Sequence, residues 1–185
     1  MKGIETNLKD CWVIEPDVFE DERGFFFEGF NADKFKAITG VNFVPKQLNQ
    51  SGSIKGVLRG LHFQNSPKAQ AKLVSCPQGE LLDVAVDLRK DSPTYKQSFT
   101  VRLSEENKKQ LFIPKGFAHG FVVLSEYGKL MYQVDELYSP KHDTGIAYND
   151  PDLNISWVLK PEEIILSNKD QSLKSLAETE INLSS

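Results

Sequence analysis

Short segments with the alternating pattern of β-strands follow one another along most of this chain. Residues that favour turns, chiefly Gly, Pro, Asn and Asp, separate these segments at intervals of about ten residues. This spacing favours an antiparallel sandwich or barrel over a succession of β-α-β units. The predicted strands span residues 57–64, 72–76, 80–89, 97–103, 110–114, 119–124 and 129–138.

Only two helices are predicted, and both are short. The first spans residues 31–39, where Asn31 is a capping residue and Gly40 terminates the helix. The second is expected near the end of the sequence, at about residues 170–177. The sequence therefore predicts a mainly β fold with a small helical fringe.

Length and charge limit the class of protein. A length of 185 residues is typical of one domain, which we expect to span residues 1–185. The 22 Lys and Arg residues and the 26 Asp and Glu residues leave a net charge of −4. Proteins that coat nucleic acids or bind anionic membranes need a basic surplus, so neither partner is expected. The longest apolar run is too short to span a membrane, and the first residues lack the apolar segment of a signal peptide, which favours a cytoplasmic protein.

The histidines and cysteines are too dispersed for a metal site. The three histidines, His62, His119 and His142, include no close His-x-His pair of the kind that metal-binding β-barrels supply. Cys11 and Cys76 form no CxxC motif, and we expect both to be buried thiols. No metal ligand is therefore predicted.

Strand periodicity leaves the role of several polar residues open. Strict alternation places Arg59 and His62 on opposite faces of their strand, whereas a bulge at Gly60 would bring both to one face. In the predicted strand 80–89, the face that carries Asp83 belongs either to solvent or to a polar cavity. Neither pattern decides between a surface and a site.

A dense aromatic run at residues 24–30 allows two interpretations as well. Aromatic stripes usually pack in a core, but the flanking charges of Arg23 and Glu28 could equally form a rim that binds a planar base and an anion. His119 follows a turn between two predicted strands, and core packing with a tight turn explains most of that segment.

A series of motifs stands in one order from about residue 11 to about residue 170, nearly the whole chain. The most specific are Arg-Gly-Leu-His-Phe-Gln at 59–64 and Ile-Pro-Lys-Gly-Phe-Ala-His-Gly-Phe at 113–121. The others lie at 23–28, 83–89, 138–140, 149–153 and 169–170. Together these motifs resemble the dTDP-4-dehydrorhamnose 3,5-epimerase family.

The resemblance implies a fold, an assembly and a reaction. The fold is a cupin-like jelly roll, and the assembly is usually a homodimer. The substrate is dTDP-4-dehydro-6-deoxy-D-glucose, which is inverted at C3 and C5 to give dTDP-4-dehydro-L-rhamnose. No metal or organic cofactor is required.

The resemblance also assigns roles to individual residues. His62 matches the general base, Asp170 the carboxylate that orients it, and Tyr132 the general acid. Lys72 and Asp83 match polar residues of the sugar site, with Lys72 expected at the C4 oxygen. The remaining matches are contacts to the nucleotide and its phosphates: Arg23, Glu28, Gln47, Asn49, Arg59, His119, Lys169, Tyr138, which stacks on thymine, and Asp143, where the family often has Glu.

The chemistry explains why these residue types suffice. A ketone at C4 acidifies the hydrogens on C3 and C5, because the resulting carbanion is conjugated into an enolate. Inversion then needs a base on one face of the sugar, an acid on the other, and positive charge at the C4 oxygen. Histidine is a suitable base because its ordinary pKa lies near neutrality.

Four alternatives stay open on the sequence alone. A mono-epimerase or a 3,4-ketoisomerase would share the scaffold and the nucleotide site. A non-catalytic sugar-nucleotide-binding domain would need neither His62 nor Tyr132, and a metal-dependent cupin oxygenase would need metal ligands. The pairing of a base with an acid on the other face favours full epimerisation.

Overall fold

Two antiparallel β-sheets that face each other make up most of the structure. The structure, a computed structural model, describes residues 1–183, so residues 184 and 185 of the predicted domain lie outside the described residues. The strands are β1 (Lys2–Glu5), β2 (Trp12–Glu15), β3 (Val18–Asp21), β4 (Gly24–Phe27), β5 (Gln47–Ile54), β6 (Leu58–Gln64), β7 (Lys72–Gln78), β8 (Glu80–Asp87), β9 (Ser98–Ser104), β10 (Gln110–Ile113), β11 (Phe117–Val123), β12 (Tyr127–Val134) and β13 (Asp143–Gly145). The helices are α1 (Ala32–Thr39), a 3-10 turn (Pro161–Glu163) and α2 (Asn168–Gln171).

The strand order places distant parts of the sequence side by side. One sheet has six strands in the order β1-β2-β10-β7-β12-β5, and the other has five in the order β13-β6-β11-β8-β9. A separate hairpin consists of β3 and β4. Each predicted strand is present with shifts of one or two residues at most of its ends, but the strand predicted over residues 129–138 ends at Val134, so Tyr138 lies in a loop. The mainly β jelly roll with few short helices is confirmed.

Apolar clusters fill the space between the sheets and cover their outer faces. The inner cluster joins Leu111 and Leu130 of the six-stranded sheet to Leu81 and Phe121 of the five-stranded sheet, and it includes both buried cysteines. A second cluster, with Trp157 at its centre, covers the outside of the five-stranded sheet. Strand β8 is therefore buried on both faces beyond its first residue, and the carboxylates of Asp83 and Asp87 do not face solvent.

The first predicted helix is confirmed, and the second is wrong in its position. In α1, the Lys34 N–H donates to the Asn31 side chain over 3.1 Å, and Gly40 ends the helix with a φ of 74°. The second helix begins earlier than predicted, because Ser167 caps it by accepting from the Asp170 N–H over 3.1 Å. Its single turn ends at Gln171.

The aromatic run does not pack in the core. Phe19, Phe25 and Phe26 of the β3–β4 hairpin are 64%, 60% and 70% exposed, so a core role for this stripe is wrong. Phe30, just beyond the hairpin, does pack against a third apolar cluster around Phe35. No helix within residues 1–183 is long and apolar enough to cross a membrane.

Candidate active site

A cavity of about 330 Å³ lies between the two sheets. Polar side chains dominate its lining, and both sheets and the segment around α2 supply them. The six-stranded sheet contributes Asn49, Gln50, Ser51, Lys72, Leu130 and Tyr132; the five-stranded sheet contributes Arg59, His62, His119 and Phe121; the α2 segment contributes Ser167, Lys169 and Asp170.

A bulge in β6 brings Arg59 and His62 into the same cavity. His62 pairs with His119 of β11 and Arg59 pairs with Phe121, so a step of three residues in β6 opposes a step of two in β11. Gly60 permits this arrangement, because a Cβ at that position would lie 2.7 Å from the β11 backbone. The bulge that the sequence left open is therefore present.

His62 and Asp170 form a close pair inside the cavity. His62 Nε2 lies 2.6 Å from Asp170 Oδ1, and the Ser167 hydroxyl donates to Asp170 Oδ2 over 2.7 Å. Burial by itself raises the pKa of Asp170, but the hydrogen bonds from His62 and Ser167 outweigh it and hold that pKa below its ordinary value. An ionised carboxylate only accepts, so it fixes the proton on Nε2 and leaves Nδ1 of His62 with a free lone pair.

His119 and Asp83 form a second His–Asp pair, of which only His119 lines the cavity. His119 Nε2 lies 2.9 Å from Asp83 Oδ2. Burial lowers the pKa of His119, although the Asp83 carboxylate acts in the opposite direction. Asp83 is fully buried and does not line the cavity, and its role at the sugar site stays a prediction. It contacts His119 and orients that ring.

Lys72 and Tyr132 face the histidines from the six-stranded sheet. Burial lowers the pKa of Lys72 to about 8, and the carboxylates of Asp143 and Asp83 act in the opposite direction. Burial also raises the pKa of the Tyr132 phenol, so this group stays protonated at neutral pH. The cavity thus holds a cation and a proton donor on the side opposite His62.

A series of hydrogen-bonded side chains leads from the cavity to the exposed Tyr138. Lys169, which lines the cavity, donates to Asp143 Oδ2 over 2.6 Å, and the Tyr138 hydroxyl donates to the same oxygen over 3.2 Å. Tyr138 itself is 53% exposed. The three predicted substrate contacts therefore form one group at the edge of the site.

Besides Asp83, Tyr138 and Asp143, three more predicted contacts do not line the cavity of this chain. Arg23 bonds Asp21 at the end of the exposed hairpin, and Glu28 bonds Lys34 of α1 over 2.9 Å. Gln47 lies on β5, but its amide group is engaged by its neighbours. As substrate contacts, these three assignments stay predictions.

Sequence reasoning missed two serines that support the site. The Ser53 hydroxyl accepts from the Arg59 guanidinium over 3.1 Å and holds it in position. Ser167 supports Asp170, and the spacing Ser-x-x-Asp is a helix-start signal that identifies it in retrospect. Among residues 1–183, no group of three or more His, Cys, Asp and Glu side chains is placed to hold a metal ion.

The chain is similar over nearly its whole length to proteins of known activity. The family model for dTDP-4-dehydrorhamnose 3,5-epimerase matches residues 5–178. The dTDP-4-dehydrorhamnose 3,5-epimerase of Methanothermobacter thermautotrophicus is 48% identical over 181 residues, which cover 97% of this chain and 97% of that protein. The crystal structure of the Elizabethkingia anophelis dTDP-4-dehydrorhamnose 3,5-epimerase has a TM-score of 0.93 at 49% identity, covering 96% of this chain and 97% of that one. A Legionella pneumophila dTDP-6-deoxy-D-glucose-3,5-epimerase in complex with dTDP-4-keto-L-rhamnose has a TM-score of 0.94 at 44% identity, covering 100% of this chain and 98% of that one.

Proposed function

The chain belongs to the dTDP-4-dehydrorhamnose 3,5-epimerase family, and we propose that it inverts C3 and C5 of dTDP-4-dehydro-6-deoxy-D-glucose to give dTDP-4-dehydro-L-rhamnose. As a member of this family it is an isomerase. The reaction moves protons only, so the site must supply a base, an acid and charge stabilisation.

The observation that carries the proposal is the placement of the base and the acid on facing sheets. His62 lies on β6 of the five-stranded sheet, and Tyr132 lies on β12 of the six-stranded sheet. Both line one cavity, so a sugar ring between them has the imidazole on one face and the phenol on the other. This is the geometry that inversion at a carbon requires.

The first inversion proceeds through an enolate. His62 Nδ1 takes the C3 proton, and the electron pair of the C–H bond moves into the C3–C4 bond while the carbonyl electrons move to the C4 oxygen. Lys72 supplies positive charge for that oxygen. The Tyr132 phenol then gives its proton to C3 from the opposite face, and solvent returns protons to the tyrosinate and removes one from the imidazolium.

The same groups act again at C5, since that carbon also neighbours the ketone. Asp170 keeps the proton on Nε2 of His62 and stabilises the imidazolium in each half-reaction. The second inversion therefore requires only that the sugar present C5 in place of C3.

The nucleotide supplies binding energy and takes no part in the proton transfers. Arg59 offers a planar guanidinium for the pyrophosphate, and its bond to Ser53 fixes the direction of that group. Tyr138 offers an exposed ring on which thymine stacks. His119 lines the cavity with Nδ1 left for a ligand, because Nε2 bonds Asp83.

Incubation with dTDP-4-dehydro-6-deoxy-D-glucose in D2O, followed by NMR, tests the reaction. We expect deuterium at both C3 and C5 and a product with the L configuration. Deuterium at only one carbon would identify a mono-epimerase, and migration of the ketone to C3 would identify a 3,4-ketoisomerase. Binding of dTDP without any deuterium exchange would identify a non-catalytic binding domain.

We further propose that the active form is a homodimer in which the β3–β4 hairpin contacts the second copy. The hairpin exposes three phenylalanine rings. This apolar area contributes no stability while it is in water, whereas its burial against a second copy stabilises a dimer. Arg23 lies in the turn of this hairpin with 85% of its side chain exposed. In the dimer, this guanidinium approaches the nucleotide site of the partner.

Mixing two inactive variants tests this arrangement. In a mixed dimer of His62→Ala and Arg23→Ala chains, a guanidinium that acts on the partner leaves one of the two sites intact. Random pairing should then restore activity to about one quarter of all sites. If Arg23 acted within its own chain, each site would carry one defect and mixing would restore nothing.

A further inference from the structure

The loop that carries Tyr138 is held by glutamine side chains. This loop, residues 135–142, connects β12 to β13 and is called the tyrosine loop below. Its backbone groups around Tyr138 bond side-chain amides from other segments of the chain, whereas backbone groups in loops usually bond water or neighbouring backbone.

Gln64 makes the largest number of these bonds. Its Nε2 donates to the carbonyl of Leu137 over 3.2 Å, and its Oε1 accepts from the Ser139 N–H over 2.7 Å. The same Nε2 donates to the Lys68 carbonyl over 2.6 Å. Gln64 is only 4% exposed, so these bonds form away from water, where leaving a partner unpaired is costly.

Two further glutamines bond the groups on either side. Gln47 Oε1 accepts from the Tyr138 N–H over 3.0 Å, and Gln70 Nε2 donates to the Glu136 carbonyl over 2.8 Å. These bonds account for the Gln47 amide that does not line the cavity. Backbone groups from residue 136 to residue 139 are thus fixed one after another.

Tyr138 depends on its backbone for its position. Its ring is half exposed and belongs to none of the apolar clusters formed by residues 1–183. Its one side-chain hydrogen bond in that part of the chain runs to Asp143. A ring with so little packing presents a fixed face to a ligand only if the chain on both sides is held.

We propose that Gln64 is a positioning residue that sets the affinity for the nucleotide by holding Tyr138 in its stacking position. The inference rests on the proposed function, in which Tyr138 stacks on thymine. Gln64 follows His62 by two residues on β6, so one strand carries the base and fixes the nucleobase loop. No contact between Gln64 and the substrate is required.

The test compares binding with turnover in Gln64→Leu. Leucine has a side chain of similar volume to glutamine but can form none of the three hydrogen bonds. Since stacking of one base on an aromatic ring is a substantial part of nucleotide affinity, we expect the Kd for dTDP, measured by calorimetry, to rise about tenfold. The KM for the dTDP-sugar should rise with it, while kcat at saturation stays within about threefold of the wild type, since loss of uniform binding leaves kcat unchanged.

A double-mutant cycle separates positioning from general damage. Tyr138→Ala alone should weaken dTDP binding, and adding Gln64→Leu to it should weaken binding no further. Gln133→Leu is the matched control, since Gln133 lies on β12 with a side-chain carbonyl that has no partner within residues 1–183. That control should bind dTDP as the wild type does.

A second variant keeps the inference testable if Gln64→Leu does not fold. Gln70 is only half-buried, and Gln70→Leu should give a smaller rise in Kd that disappears in the Tyr138→Ala background. Equal losses with and without Tyr138, or an unchanged Kd in a folded Gln64→Leu, would overturn the positioning role. A wild-type protein that does not bind dTDP would instead refute the proposed function.

Discussion

The charge of Lys72 should control the alkaline limit of the reaction. Burial lowers the pKa of this ammonium to about 8, far below that of an exposed lysine. A lysine loses its positive charge as pH rises through its pKa, so stabilisation of the C4 enolate is present below pH 8 and disappears above it. The low pKa is caused by the burial of Lys72 in the wall of the cavity.

The magnitude follows from the titration of a single group. With a pKa of about 8, roughly nine-tenths of the molecules carry the charge at pH 7 and roughly one-tenth carry it at pH 9. If only the charged form turns over, kcat/KM should fall about tenfold between these two values. Tyr132 does not contribute to this fall, because burial raises the pKa of its phenol.

Lys72→Arg tests the assignment, because a guanidinium keeps its charge throughout this range. The variant should be slower at pH 7, since its planar group is larger, but its kcat/KM should stay flat from pH 7 to pH 9. Initial rates of deuterium incorporation at constant ionic strength, corrected for exchange without enzyme, give the profile. Lys55→Arg, a change at an exposed lysine outside the cavity, should keep the tenfold fall. An equal fall in Lys72→Arg would show that another group titrates.

Three further changes test the remaining assignments. Tyr132→Phe should exchange deuterium at C3 or C5 with little inverted product by NMR, because His62 can return a proton only to the original face; normal yields of L-configured product would reject the phenol as the acid. Asp170→Asn should lower kcat by about 10²–10⁴-fold, with a smaller loss than in His62→Ala, because the ring loses its fixed tautomer; a rate near the wild type would show that His62 needs no orienting carboxylate. Arg59→Ala should weaken dTDP binding in calorimetry at low salt and less so at high salt, since phosphate attraction is screened; an effect independent of salt would exclude a phosphate contact.

Apolar alternation identified the strands whose inner faces pack in the core, and it missed β5, one of the strands that line the cavity. Strand β5 has the sequence Gln-Leu-Asn-Gln-Ser-Gly-Ser-Ile, which offers neither an apolar stripe nor a β-branched run. Its Asn49 and Ser51 line the cavity and therefore have no reason to be apolar. A strand that serves a polar site loses the signal by which strands are recognised.

The sequence predicted only part of the site. Two features, the burial of Asp83 and the position of Arg23, depend on segments that are distant in the sequence. Motif resemblance named His62, Tyr132 and Lys72, and all three line one cavity. It did not show that Asp83 lies behind His119, because burial of a carboxylate on β8 depends on how the facing sheet packs. The position of Arg23 depends on a hairpin whose exposed phenylalanines belong to none of the apolar clusters formed by residues 1–183.

One strand explains why the motif at residues 59–64 is so specific. Side chains two apart in a strand share a face, so His62 lines the cavity while Gln64 contacts the tyrosine loop from the same face. Arg59, three residues before His62, would point away without the bulge that Gly60 allows. The bulge therefore lets one short strand present both Arg59 and His62 to the cavity and Gln64 to the tyrosine loop.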